Sequence, residues 1–266
     1  MKPLRDLNGP EPPANTLSPW SEVQVVSAPV GARHELLVAA VFAAGPSVLA
    51  GLIAGVAGGL VAGLVVFVVV AAALTAWPVL AADRLVEASL RGRDADPRAD
   101  ARLYNLVDGL ATSMGVRSPR LLVVESPGLN AMASGARHGR ELVAVTSSLL
   151  AELELVELEA ILAEVLYRLR HREVAAETVL VATFGLGRSL ILSADRDTRL
   201  DTAAVAVTRY PPGLVSALEK MALKGSLVAG QTLRLAHLWV ADPLQATGTV
   251  RWRLSLADRC GALQEL

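Results

Sequence analysis

The longest feature of the hydropathy pattern is a run of 47 residues, Leu36 to Ala82, without one Asp, Glu, Lys, Arg or His. As continuous helix it would reach about 70 Å at about 1.5 Å per residue, roughly twice what a hydrocarbon core of about 30 Å requires. The pattern therefore predicts two crossings, near 36–54 and 60–82, turning around Gly58-Gly59. A secretory signal would begin sooner and be shorter, so cleavage is not expected. Small residues recur at every fourth position at Ala43, Ser47, Gly51, Gly55, Gly59 and Gly63. That spacing lets helix backbones approach closely in lipid and makes oligomerisation through transmembrane faces an expectation, weighed against the plain abundance of Gly and Ala.

Beyond Asp83 the pattern changes. A helix is predicted over about 97–115, strands at Arg120–Glu125, Ala131–Ser134 and Leu142–Thr146, and helices after that. The fold class expected is α+β: a transmembrane helical hairpin followed by a mainly helical domain with a small sheet. In the helix around 156–173, Leu155, Leu158, Leu162, Leu166 and Leu169 form a stripe that should be core, with Glu157, Glu164, Arg168 and His171 on a polar face. Glu164 and Arg168 have the i, i+4 spacing of an ion pair, and a solvated surface is the default explanation. A second apolar stretch, Thr178 to Ser193, is interrupted by Gly185, Gly187 and Arg188. It is too short for two crossings, and a lipid-exposed Arg at its middle would cost a few kcal/mol, so a buried or interfacial helix is expected. Residues 1–33, with Pro3, Pro10, Pro12, Pro13, Pro19 and Pro29, read as a disordered tail. The domains expected are 1–33 tail, 34–83 hairpin and 84–266 globular.

Composition sharpens this picture. Hydrophobic residues make up 53% of the 266, and mean hydropathy is +0.45, too apolar for an ordinary soluble chain. From Asp83 onward there are 22 basic and 22 acidic residues, so no field suited to nucleic acid is expected. Cys260 stands alone and reads as a small apolar filler. Arg33, Arg84, Arg91 and Arg93 flank the hairpin, and the positive-inside tendency puts them, with the globular domain, in the cytoplasm. The localisation expected is the plasma (inner) membrane, multi-pass, with the lipid bilayer as a partner.

The globular part resembles the HtpX-type membrane zinc metallopeptidases, relatives of the CAAX prenyl proteases, over most of residues 100–266. Ala101-Arg102-Leu103-Tyr104-Asn105-Leu106-Val107 is similar to the helix opening that family's peptidase domain. Ser118 to Pro127, then Asn130-Ala131-Met132-Ala133-Ser134-Gly135, resemble its strand and its Asn-Ala-Phe-Ala-x-Gly edge segment, and Leu142 to Leu150 the strand and helix start that follow. Where the family continues with H-E-x-x-H, this chain has Glu164-Val165-Leu166-Tyr167-Arg168. Zinc chemistry there needs two neutral imidazoles one turn apart and a carboxylate to take the proton of a bound water. Arg168 is permanently cationic, and Val165 cannot accept a proton. Downstream, Arg196-Asp197-Thr198-Arg199-Leu200-Asp201 resembles Arg-Glu-x-x-Ala-Asp, which places Asp197 at the third-ligand position and Asp201 behind the ligands. Leu238 to Pro243 resembles Leu-Phe-x-Thr-His-Pro with Asp242 in place of His. His34, His138, His171 and His237 include no pair at i, i+3 or i, i+4.

The resemblance therefore implies a degenerate site with no catalytic residues and no bound cofactor. The charge swap suggests the Arg168 guanidinium in roughly the missing cation's place, held by Glu164 and Asp197. Substituting Glu164→His, Val165→Glu and Arg168→His together would be expected to restore some metal binding. The retained edge, Asn130, Ala131, Met132, Ala133, Ser134 and Gly135, implies a segment where a peptide could add as a strand. The leading functional expectation is a non-catalytic, membrane-anchored module that binds a peptide or protein or regulates a partner, in a setting such as membrane protein quality control. The alternatives are an active zinc metalloendopeptidase with an unusual site, and a structural membrane-packing protein.

Overall fold

A computed structural model of the protein describes residues 34–186, 188, 191–193, 195–244 and 253–265. The predicted tail, 1–33, lies outside them. Two antiparallel helices come first, α1 (His34–Gly58) and α2 (Leu60–Ser89), turning at Gly59, whose φ of 85° is one that glycine adopts without strain. Each is long and apolar enough to cross a membrane. Neither is a core helix, since Val56 is 91% exposed and Leu60 87%, with Leu49, Leu52, Ile53 and Val61 also bare. A contiguous apolar surface of that kind marks a face that meets lipid or another protein.

The small residues are engaged inside this hairpin. A Cβ placed on Gly63 would lie 2.7 Å from the Gly51 carbonyl oxygen and 2.8 Å from Gly55 Cα. The two backbones therefore touch, as the spacing predicted, but within one chain.

The expected boundary at 83 falls inside a continuous helix, because α2 runs on to Ser89. Asp83 is buried there and accepts from the Ala136 amide (2.7 Å) and Arg137 Nε (3.1 Å). Glu35, one residue into α1, meets Arg172 at 3.4 Å. These bonds, with Val38, Ala39 and Ala82 packed on Ala176, Val179 and Leu180, fasten the hairpin base to the domain.

The domain contains β1 (Gly92–Asp94), α3 (Ala101–Met114), β2 (Arg120–Val124), β3 (Ala131–Ser134), β4 (Leu142–Thr146) and α4 (Ser147–Glu152). It continues with α5 (Leu155–Arg170), α6 (Glu173–Ala182), α7 (Arg196–Thr208), α8 (Pro211–Lys224), a 3-10 turn at Ala236–Leu238 and α9 (Leu256–Gln264). The strands lie in the order β1-β2-β4-β3, with β2 and β4 parallel and the other pairs antiparallel. Side chains alternate across the sheet. Leu121, Val123, Ala131, Ala133, Val143 and Val145 face the main core with α5, whereas Leu122, Val124, Met132, Leu142 and Ala144 face Val86, Leu238 and Trp239. Burial on both faces is why these strands read as unbroken apolar runs. The short β1, Gly-Arg-Asp, has no such pattern and was not predicted; backbone pairing to β2 alone defines it.

α5 starts with a capping box, Glu154 and Glu157 each accepting from the other's end of the first turn. Its apolar stripe is core as expected, apart from Leu155 in the first turn, which is 55% exposed. The polar face is not solvated, because β3, α6, α7 and α8 surround the helix and bury Glu157, Glu164 and Arg168. The 178–193 stretch begins in α6, a wholly buried helix ending at Ala182, after which the chain turns.

Candidate functional site

Three elements converge at the positions that resemble the family's metal site: α5 brings Glu164 and Arg168, α6 brings Glu177, and α7 brings Arg196, Asp197 and Asp201. A fourth, α9, inserts Arg259. Arg168 is 0% exposed. One of its terminal nitrogens donates to the Leu238 carbonyl at 2.8 Å and the other to Glu177. Glu177 also accepts from Arg196 Nε at 2.8 Å, and Arg196 reaches Asp197 at 3.2 Å. The other Asp197 oxygen accepts from the Leu254 amide at 3.0 Å. Arg259 bridges Glu164 (3.0 Å) and Asp201 (Nε, 2.8 Å) and donates to the Val240 carbonyl at 2.8 Å.

Arg168 therefore does occupy the interior, but not with the partners expected of it. Glu164 belongs to Arg259 and Asp197 to Arg196, while Arg168 is held by Glu177. Val165 sits in the apolar core and touches none of this chemistry. The decisive partners missed from sequence were Glu177, Arg196 and Arg259. Glu177 had left one signal: within Val174 to Ala182 it is the single charge in an otherwise apolar stretch, and a buried charge must be paired; Arg259, next to Asp258, had left none.

The arrangement sets the ionisation. Burial would raise the Glu177 carboxyl, but Arg168 and Arg196 outweigh it and hold it down at about 2. Burial raises Glu164 and Asp201, and their shared guanidinium, Arg259, only partly offsets this. Asp197 ends below the usual carboxylate range, because Arg253, Arg259 and Arg196 overcome its burial. Four cations (Arg168, Arg196, Arg253, Arg259) thus stand against four carboxylates (Glu164, Glu177, Asp197, Asp201). The cluster is balanced without any metal.

His237 packs beside it, its Nε2–H donating to the Glu177 backbone carbonyl at 2.7 Å. Burial pushes this imidazole down to about 4, so it folds neutral. An unfolded histidine protonates near 6.5, so the stability this residue contributes is complete above that value and is lost as pH falls towards 4, by about 3 kcal/mol. Glu164 and Asp201, held up, act in the opposite sense. Thermal melts of the wild type and of His237→Gln, which keeps an N–H donor, should diverge across pH 6.5 to 4, with the steeper loss in the wild type.

Zinc does not fit these residues. Of the three ligand positions, one is a buried guanidinium and the two carboxylates are already ion-paired, and among the described residues no group of three or more His, Cys, Asp or Glu is arranged to hold a metal ion. The sequence-predicted peptide edge is present but covered. Met132 pairs with Trp239 as an antiparallel bridge, the Val240 amide donates to the Ala131 carbonyl at 2.8 Å, and the Gly135 amide donates to Thr178 Oγ1 at 3.0 Å. Asn130 ties the same segment down, its side-chain nitrogen donating to the Ser226 and Ala241 carbonyls. Ala133 and Ser134 are buried too. A peptide adding as a strand along Asn130 to Gly135 would therefore have to displace 239–241.

Comparison with known proteins agrees with the architecture around this site. Residues 97–224 match the description "Peptidase family M48". A protease HtpX homolog of Dictyoglomus turgidum is 26% identical over 186 residues, 54% of this chain and 61% of that protein. Others are those of Tropheryma whipplei, 26% over 185 residues (54% and 64%), and Streptococcus pneumoniae, 23% over 207 (59% and 69%). The chain spans about three-fifths of the length of the first of these curated relatives. Over residues 97–224 the chain is therefore similar to peptidase family M48, and the relatives it matches are HtpX homologs.

Proposed function

We propose that this protein is a non-catalytic HtpX-type homologue, anchored in the plasma (inner) membrane by α1 and α2, with its domain in the cytoplasm, serving as a binding or regulatory module. The observation that supports this most directly is Arg168: a guanidinium with no access to solvent, on the turn of α5 where the family places an imidazole. Val165, where the family's carboxylate would stand, lies in an apolar core with no proton-accepting atom. A buried cation repels a dication, and a neutral cluster gains nothing by admitting one. The closed β3 edge favours a partner recognised through another surface over a peptide lying in a groove.

The full chain purified in detergent is expected to carry less than about 0.1 zinc per molecule by elemental analysis and to leave casein intact with zinc added. Stoichiometric zinc together with casein cleavage would overturn the proposal in favour of an active metalloendopeptidase. Co-purification of a specific partner with the full chain, but not with the hairpin alone, would separate a binding module from a purely structural membrane protein.

A further inference from the structure

The end of the domain that meets the hairpin is built from chain turns. β2 and β4 begin there, β3 ends there, and α3 and α5 terminate at Met114 and Arg170. Between these turns lies a cleft of about 220 Å³ whose polar lining is Arg117, His138, Glu141, Arg170 and Arg172. Its height relative to a bilayer follows from its own walls. Arg172 donates to the Ala136 carbonyl (3.0 Å) and meets Glu35, while the Ala136 amide and Arg137 bond to Asp83. Glu35 and Asp83 are the charged residues that bracket the 47-residue apolar run, so the cleft sits where hydrocarbon gives way to headgroups.

Charge in the cleft is one-sided. Three guanidiniums oppose one carboxylate, Glu141, which has His138 Nδ1 at 3.8 Å. Arg137 and Arg140 lie on the same β3–β4 loop. Arg117 and Arg170 are exposed, and neither makes an ion pair among the described residues. From Asp83 onward the chain as a whole is charge-neutral, with 22 basic and 22 acidic residues, so this concentration is local. Guanidiniums present forked donors suited to phosphate oxygens, and basic residues at a membrane surface attract anionic lipid, each by a factor of about five.

We infer that this cleft binds the phosphate of an anionic phospholipid headgroup from the leaflet facing the domain. The inference rests on the reading that α1 and α2 cross a bilayer. Given that, lipid phosphate is held at the cleft's height at high local concentration, whereas a soluble anion is not.

The test is native mass spectrometry of the full chain released from nanodiscs, with phosphatidylglycerol, phosphatidylcholine and inorganic phosphate as the three probes. Phosphatidylglycerol should be retained over phosphatidylcholine, and millimolar phosphate should not displace it. Arg117→Gln with Arg170→Gln should lower its occupancy by at least about tenfold, while Arg98→Gln, an exposed site elsewhere, should leave it unchanged. Should the double variant melt early, Arg117→Gln alone must still lower occupancy. Equal retention of both lipids, indifference to the substitutions, or displacement by phosphate would each overturn the proposal. Release of the protein from membranes by alkaline carbonate would instead refute the bilayer crossing on which it rests.

Discussion

Replacing Arg259 with alanine is expected to be among the most damaging single changes in the domain. It leaves Glu164 and Asp201 buried side by side without the guanidinium they share, and takes the donor from the Val240 carbonyl. Breaking a buried ion pair from one side costs about 3–5 kcal/mol, which in a domain of this size is a fall of roughly 10 °C in melting temperature. The cost is that of stranding charge, not of losing attraction, so it is largely recoverable. Arg259→Met combined with Glu164→Gln and Asp201→Asn should regain most of it. If Arg259→Ala melted within a degree or two of the wild type, the cluster would have no structural role.

The second large effect concerns the triple change Glu164→His, Val165→Glu and Arg168→His. Sequence alone suggested that it would restore some metal binding; the structure reverses that expectation. Removing Arg168 strips Glu177 of one of its two cations and leaves the Leu238 carbonyl without its donor. The new carboxylate at 165 would enter an apolar core, a burial costing several kcal/mol unless it is paired. Arg259 would still project into the site. The triple variant should therefore melt well below the wild type and hold less than about 0.1 zinc. Binding is expected only when Arg259→Leu removes the intruding cation and Asp197→Glu restores ligand length. Stoichiometric zinc in the triple variant, measured by elemental analysis, would show that the guanidiniums do not exclude it.

What could be read from the chain divides along a physical line. The hairpin, β2 to β4 and α5 were legible because their signals are local: an uncharged run, apolar segments between turn residues, a leucine stripe at helical spacing. At 164–168 the chain reads Glu-Val-Leu-Tyr-Arg, a departure that is visible only when it is set against the pattern of the family it resembles. The pairing was not. Arg168 was matched to carboxylates at the right spacing on α5 and α7, yet its partner comes from α6, and Glu164 is claimed by Arg259, 95 residues away. The shielding of β3 by 239–240 was hidden for the same reason, since two segments over 100 residues apart meet only in the folded chain. β1 carried no side-chain signal at all.

The continuity of α2 has a mechanical consequence. Its 30 residues make a rod of about 45 Å, some 15 Å more than a hydrocarbon core occupies, and the excess is bonded directly into the domain at Asp83. Pro78, five residues before Asp83, removes one backbone hydrogen bond from that helix and is the place where the rod can bend. A hydrophobic rod that crosses a bilayer meets a change in thickness by tilting, and for α2 such a tilt would reach the domain through the turn around Pro78, beyond which the helix is bonded to it.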